Sequence, residues 1–182
     1  VVSLSIEGLI KEDRKQLKSG MREATQLKND GKLLLREFMN MTQDPDSIEE
    51  ISPRTIAAVR GVGRHVDEIA QVSANHILNQ HRGLDKDQKE QLADVLKEID
   101  SFINKSNEFF KDENREKISQ AISKGENIRN TIHKKSRQQI KRIKKGKTKT
   151  RNTLLFVNLL SFCNEVVNEY TEVLKGYNEM FD

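Results

Sequence analysis

Tryptophan is absent from this chain of 182 residues, which has one cysteine, two prolines, nine glycines and 5% aromatic residues. A lone cysteine, Cys163, rules out an internal disulfide and a cysteine-paired zinc site. Its place on an apolar stripe is that of a buried thiol in a reducing compartment. The scarcity of aromatics works against a base-stacking surface. The longest uncharged run, Asn152 to Asn164, is shorter than the roughly 20 residues that cross a bilayer. No secretory leader pattern is present. The marks of catalysis are missing as well. There is no His-Glu-x-x-His, no Walker A loop and no Gly-x-Ser-x-Gly. None of the four histidines has a glutamate three residues before it, which removes the ferritin-type di-iron motif. Gly61-Val62-Gly63 starts like a dinucleotide loop, but Val66 stands where the third glycine belongs and no strand precedes it. The chain is therefore read as not an enzyme and as carrying no cofactor.

What is present is charge and helical periodicity. Hydrophobic residues make up 35% and charged residues 33%, the balance of long solvated helices. Phe156, Leu160, Cys163, Val167, Tyr170, Leu174, Tyr177 and Phe181 recur at steps of four and three. Leu159, Val166, Val173 and Met180 widen that stripe. A stripe of this width must be covered by other helices.

Further patterns predict a weakly alternating, extended lead-in over Val1 to Ile6 and a first helix from Glu7 to about Met41. The apolar side of that helix would be Leu17, Met21, Ala24, Leu27, Leu34, Phe38 and Met41. Asp44-Pro45-Asp46 then opens a loop running to Ser52. Ser52-Pro53 starts a second helix, running to about His81, with Gly83 as its stop. Asp85 caps a third helix ending in a charged turn near Lys111 to Asn114. The fourth ends near Gly146 and the fifth begins around Thr150. The expectation is one domain over 1–182, all-α, an antiparallel up-and-down bundle of four to five long helices.

Charge is unevenly placed. The net charge is +4, yet Lys134, Lys135, Arg137, Lys141, Arg142, Lys144, Lys145, Lys147, Lys149 and Arg151 form a stretch of +10 with no acid. The other 22 basic residues face 28 acidic ones, a formal −6. Three readings compete for this segment: an anionic membrane or acidic partner, a merely solvated helix tip, and nucleic acid, which the lack of aromatics disfavours. Two other groupings are weaker. Glu90, Asp94 and Glu98, like Glu165 and Glu169, share a face and read first as a charge-laced solvated surface. His65, His76 and His81 lie on or near the second helix beside Asp67 and Glu68, and read first as surface or capping residues. In an up-and-down bundle the chain start and the basic turn share one end, so a membrane tether at the start would bring the basic turn to that membrane. The chain opens Val1-Val2-Ser3 without methionine, the start expected of a piece of a longer protein.

Two stretches, Val59-Arg60-Gly61-Val62-Gly63-Arg64-His65-Val66 and Leu159-Leu160-Ser161-Phe162-Cys163-Asn164-Glu165-Val166, resemble the signature helix of the PhoU family of antiparallel helical bundles. In that family a Glu and an Asp four residues later help hold metal clusters. Here those positions carry Arg60 and Arg64 in one copy and Leu160 and Asn164 in the other, so the resemblance implies no metal site. Asn79-Gln80-His81-Arg82-Gly83-Leu84, Gln139-Ile140-Lys141-Arg142-Ile143-Lys144 and Arg151-Asn152-Thr153-Leu154-Leu155 are similar to the soluble C-terminal region of Bacteroidetes phosphate permeases. That resemblance implies a regulatory or accessory domain on the cytoplasmic face of a bacterial inner membrane. Its partners would be the transmembrane permease portion of the same chain, an anionic membrane surface and a possible homodimer; the alternative reading is a free-standing helical scaffold or signalling bundle that binds a protein partner.

Overall fold

Four helix starts are built from short polar side chains placed one residue before the helix. Asp13 accepts from the backbone N–H groups of Lys15 and Gln16, and Ser52 from that of Arg54. Asp85 accepts from Gln88, whose own side chain accepts the N–H of Asp85 in return, and Asn114 accepts from Lys117. Each contact satisfies an N–H that the helix cannot satisfy itself. The computed structural model describes residues 1–41, 52–112, 114–144 and 150–179, with the side chains of Met41 and Lys144 outside the description. Among the described residues there are six helices and no strand: α1 (Val2–Lys11), α2 (Arg14–Met41), α3 (Pro53–Leu78), α4 (Lys86–Lys111), α5 (Arg115–Lys144) and α6 (Thr150–Glu179). The all-α expectation holds. The expected number of helices, four to five, is exceeded by one short helix.

That short helix corrects the reading of the chain start. Val1 to Ile6 is not an extended lead-in, and one helix does not run from Glu7 to Met41. Val2, Ile6 and Leu9 are buried along one side of α1. Glu12 then adopts a left-handed conformation at φ 58°, with the N–H of Asp13 bonded to the carbonyl of Gly8 at 2.9 Å. Such a reversal satisfies the last carbonyls of a helix and turns the chain. α1 and α2 thus form a helical hairpin, with Gly8 beside Leu17 and Ser5 beside Gly20.

α6 is central. It packs against α3, α5 and α4, which explains why its stripe is wide. Phe156, Leu159, Leu160, Cys163, Val166, Val167 and Leu174 are buried, while Tyr170 and Tyr177 are partly covered by edge contacts with Phe102 and Phe110. Phe181 and Met180 lie outside the described residues, as does the Asp44 to Ile51 stretch of the expected loop. α3 and α4 do not approach each other directly; α1 lies against both and closes the gap. α2 packs on α1 and α3. Its crossing with α3 is close enough that a Cβ on Gly63 would lie 3.0 Å from the carbonyl oxygen of Leu27. The α2 stripe is buried only in its first half. Leu17 and Ala24 are covered, whereas Leu27 and Leu34, expected inside, are 38% and 40% exposed.

Following the chain, the turn at Glu12, the turn over 79–85, the last turn of α5 and the first turn of α6 lie at one end of the molecule. Lys89 of α4 pairs with Glu12 at 3.0 Å, and Asn152 of α6 donates to the carbonyl of Gly83 at 2.7 Å. Because α1 runs toward this end, Val1 sits about 15 Å back from it, at the usual rise of about 1.5 Å per residue. The chain start therefore does not share an end with the last turn of α5 and the first turn of α6, contrary to the expectation. No described helix is long and apolar enough to cross a membrane.

Candidate functional site

The basic segment forms the last turns of α5 and the first turn of α6, at the end just defined. Lys145, Lys147 and Lys149 lie outside the described residues, and Lys144 closes the α5 backbone. The remaining residues divide into two sets. One set is paired. Arg142 reaches Asp85 at 3.9 Å and makes a closer contact with Asp87. Gln139 donates to Asp87 at 3.4 Å, and Lys135 lies 3.5 Å from Asp94. Arg151 donates to Nδ1 of His81 at 3.2 Å. The acid-free stretch of sequence thus meets three acids in space, Asp87 and Asp94 of α4 and its N-cap Asp85. Asp85 and Asp87 also sit at the N-terminus of α4, where the helix dipole favours negative charge.

The second set faces solvent. Lys134, Arg137 and Lys141 are exposed at steps of three and four, one face of α5, and pair with no acid among the described residues. Ile140 beside them is 43% exposed and Leu154, at the start of α6, is 55% exposed. Exposed Arg151 lies on the same end. A surface that combines fixed cations with uncovered aliphatic side chains suits an anionic, partly apolar counterpart.

The turn over 79–85 frames this end. Gly83 was expected to stop the second helix, but the helix ends at Leu78 and the left-handed residue is Gln80, at φ 57°. Gly83 has another role: a Cβ there would lie 2.2 Å from a carboxylate oxygen of Glu12. His76 donates from Nε2 to the carbonyl of Arg82 at 2.8 Å, and its ring meets that of His81 edge-on at 5.3 Å. Loss of water around the ring, then repulsion from Arg151 and His76, holds His81 below the ordinary imidazole range. These histidines therefore brace a turn.

The other groupings resolve differently. His65 donates from Nδ1 to Glu68 at 2.7 Å and accepts from Arg64 at 2.9 Å. Asp67 pairs with Lys28 of α2. On α4, Glu90 faces Lys86 at 3.8 Å and Asp94 faces Lys135, while Glu98 is half-buried and pairs with no cation among the described residues. A cleft of about 200 Å³ between α2, α3 and α6 is lined by Leu35, Ala57, Arg60, Gly61, Arg64 and Glu169. Burial raises the carboxyl of Glu169; His65 and Arg64 oppose that shift, and Glu165 and Glu172 add to it. Among the described residues no three His, Cys, Asp or Glu side chains converge on a point that would hold a metal ion.

Sequence reasoning found the cations of this end. It missed Asp85, Asp87 and Asp94 as their partners, because those acids are 41 to 57 residues distant in the chain. The one available signal was the capping pattern at Asp85, which marks a helix N-terminus but not what approaches it. No protein-family model, curated protein or solved structure matches this chain.

Proposed function

We propose that this chain is a non-catalytic helical module that docks through its basic end on an anionic membrane surface. The observation that carries the reading is the exposed row Lys134, Arg137 and Lys141 with uncovered Ile140 next to it, and uncovered Leu154 at the start of α6. The PhoU-like resemblance supplies the setting: a regulatory or accessory domain of an inorganic phosphate transporter, on the cytoplasmic face of a bacterial inner membrane. The position of Val1, about one short helix back from the basic end, means that a preceding transmembrane portion would have to enter along the flank of the bundle. An upstream reading frame with several long apolar spans would support the transporter setting. A start codon next to Val1 would overturn it and leave the docking surface to be judged alone.

Each Lys or Arg near an anionic leaflet contributes about 1 kcal/mol. Replacing Arg137, Lys141, Lys144, Lys145 and Lys147 with Gln spares Arg142, whose pairing with Asp85 and Asp87 helps hold α5 to α4. That variant is expected to bind phosphatidylserine-containing vesicles about 100-fold more weakly than wild type or worse in co-sedimentation. A control in which Lys105, Lys111 and Lys124 become Gln, toward the other end, is expected to stay within about threefold of wild type. Equal binding by all three proteins would exclude docking by this end.

A further inference from the structure

The exposed half of α2 borders a groove of about 430 Å³ lined by Leu27, Asp30, Gly31, Leu33, Leu34, Glu37 and, across from them, Val59 of α3. We propose that this groove is the seat of a basic amphipathic helix from a partner protein.

Two features of the molecule define that occupant. The first is continuity with the packing of α1. Gly20 of α2 faces α1, where a Cβ on it would lie 2.7 Å from the hydroxyl of Ser5. Leu27 and Leu34 follow Gly20 at successive steps of seven, so they prolong the same face of α2. α1 is an amphipathic helix that buries Val2, Ile6 and Leu9 against the bundle. The groove extends the track of that helix along α2 and α3, and its apolar lining suits a second helix of the same kind. The second feature is charge. Glu23, Asp30 and Glu37 are exposed at steps of seven along the outer edge, and the lining contains two acids and no base, in a chain of net charge +4. A helix whose apolar stripe is flanked by Lys or Arg meets both the leucines and the acids. A second copy of this chain does not. A twofold contact sets the same surface against itself and would bring Asp30 and Glu37 against their own counterparts.

The probe is an 18-residue amphipathic peptide of Leu and Lys at helical spacing, with a control in which every Lys is Glu. In fluorescence anisotropy the Leu/Lys peptide is expected to bind with one-to-one stoichiometry and the Leu/Glu peptide at least about tenfold more weakly. Leu34→Gln, at an exposed position, is expected to weaken the Leu/Lys peptide about tenfold. The pair Asp30→Lys and Glu37→Lys is expected to reverse the preference between the peptides. Reversing Glu90 and Glu98 on α4 instead is expected to leave it unchanged. Thermal unfolding of each variant confirms that it is folded. Binding that ignores Leu34→Gln and the Asp30/Glu37 reversal would overturn the proposal. So would concentration-dependent dimerisation of the protein that Leu34→Gln abolishes, since the occupant would then be a second copy.

Discussion

Glu169 and Asp67 are both pushed up by burial, yet the two carboxyls end on opposite sides of the ordinary value. At Asp67, hydrogen bonds from Lys28, Gln71 and Thr25 outweigh burial and hold the carboxyl below its ordinary value. At Glu169, His65 and Arg64 do not offset it, and the carboxyl stays raised. The folded state thus takes up a proton at Glu169 more readily than the unfolded state does. Stability linked to this group is fully present below the unfolded carboxyl value of about 4.3 and is lost as pH rises through the folded value above it. At neutral pH the charged side chain is therefore a standing liability. Glu169→Gln is expected to raise the urea midpoint at pH 7, with the difference from wild type vanishing near pH 4. A variant less stable than wild type at pH 7 would show that the pull of Arg64 and His65 dominates after all.

At the scale of elements, α2 and α3 depend on a close backbone crossing. A methyl on Gly63 would lie 3.0 Å from the carbonyl oxygen of Leu27 and 3.1 Å from the Cα of Lys28, and neither is a flexible side-chain end. Alanine gains about 1 kcal/mol in helix propensity, while forced separation of packed helices costs about 1–3 kcal/mol. Gly63→Ala is expected to destabilise by up to about 2 kcal/mol in urea unfolding, and a stabilised variant would mean that α2 shifts freely on α3. The same scale explains what could be read in advance. The caps at Ser52 and Asp85 were legible because short polar side chains before a periodic run have one strong use. Asp13 opens the same Asp-x-x-Gln spacing as Asp85, at Asp13-Arg14-Lys15-Gln16, yet it sits inside an unbroken run of helix formers. The reversals that end α1 and α3 use Glu12 and Gln80 in the left-handed region, where glycine is the expected sign. The cations of the basic end were legible by type. Their division into paired and free sets depends on which helix α5 lies against, and no local pattern encodes that.

At the scale of the whole molecule two surfaces stand apart. An exposed row of cations and uncovered aliphatic side chains lie where α5 finishes and α6 begins, while an apolar groove lined by Asp30 and Glu37 opens along α2. The opposite end carries the ring pair Phe110–Tyr177 and the turn at Asp112. Docking through the basic end therefore fixes an orientation, which can be read with one label at a time. Cys163 is fully buried and its thiol is pushed up to about 12, so it stays unreactive near pH 7.5 and a new surface cysteine can be labelled alone. Leu154→Cys places an environment-sensitive dye at the basic end, and Glu108→Cys places it near the other. With acidic vesicles the first is expected to shift to shorter wavelength and the second to keep its emission. In about 1 M salt, where the screening length falls to about 3 Å, the first shift should largely disappear. Equal shifts at both positions would describe a molecule lying flat, and a shift at Glu108→Cys alone would place the membrane contact at the wrong end.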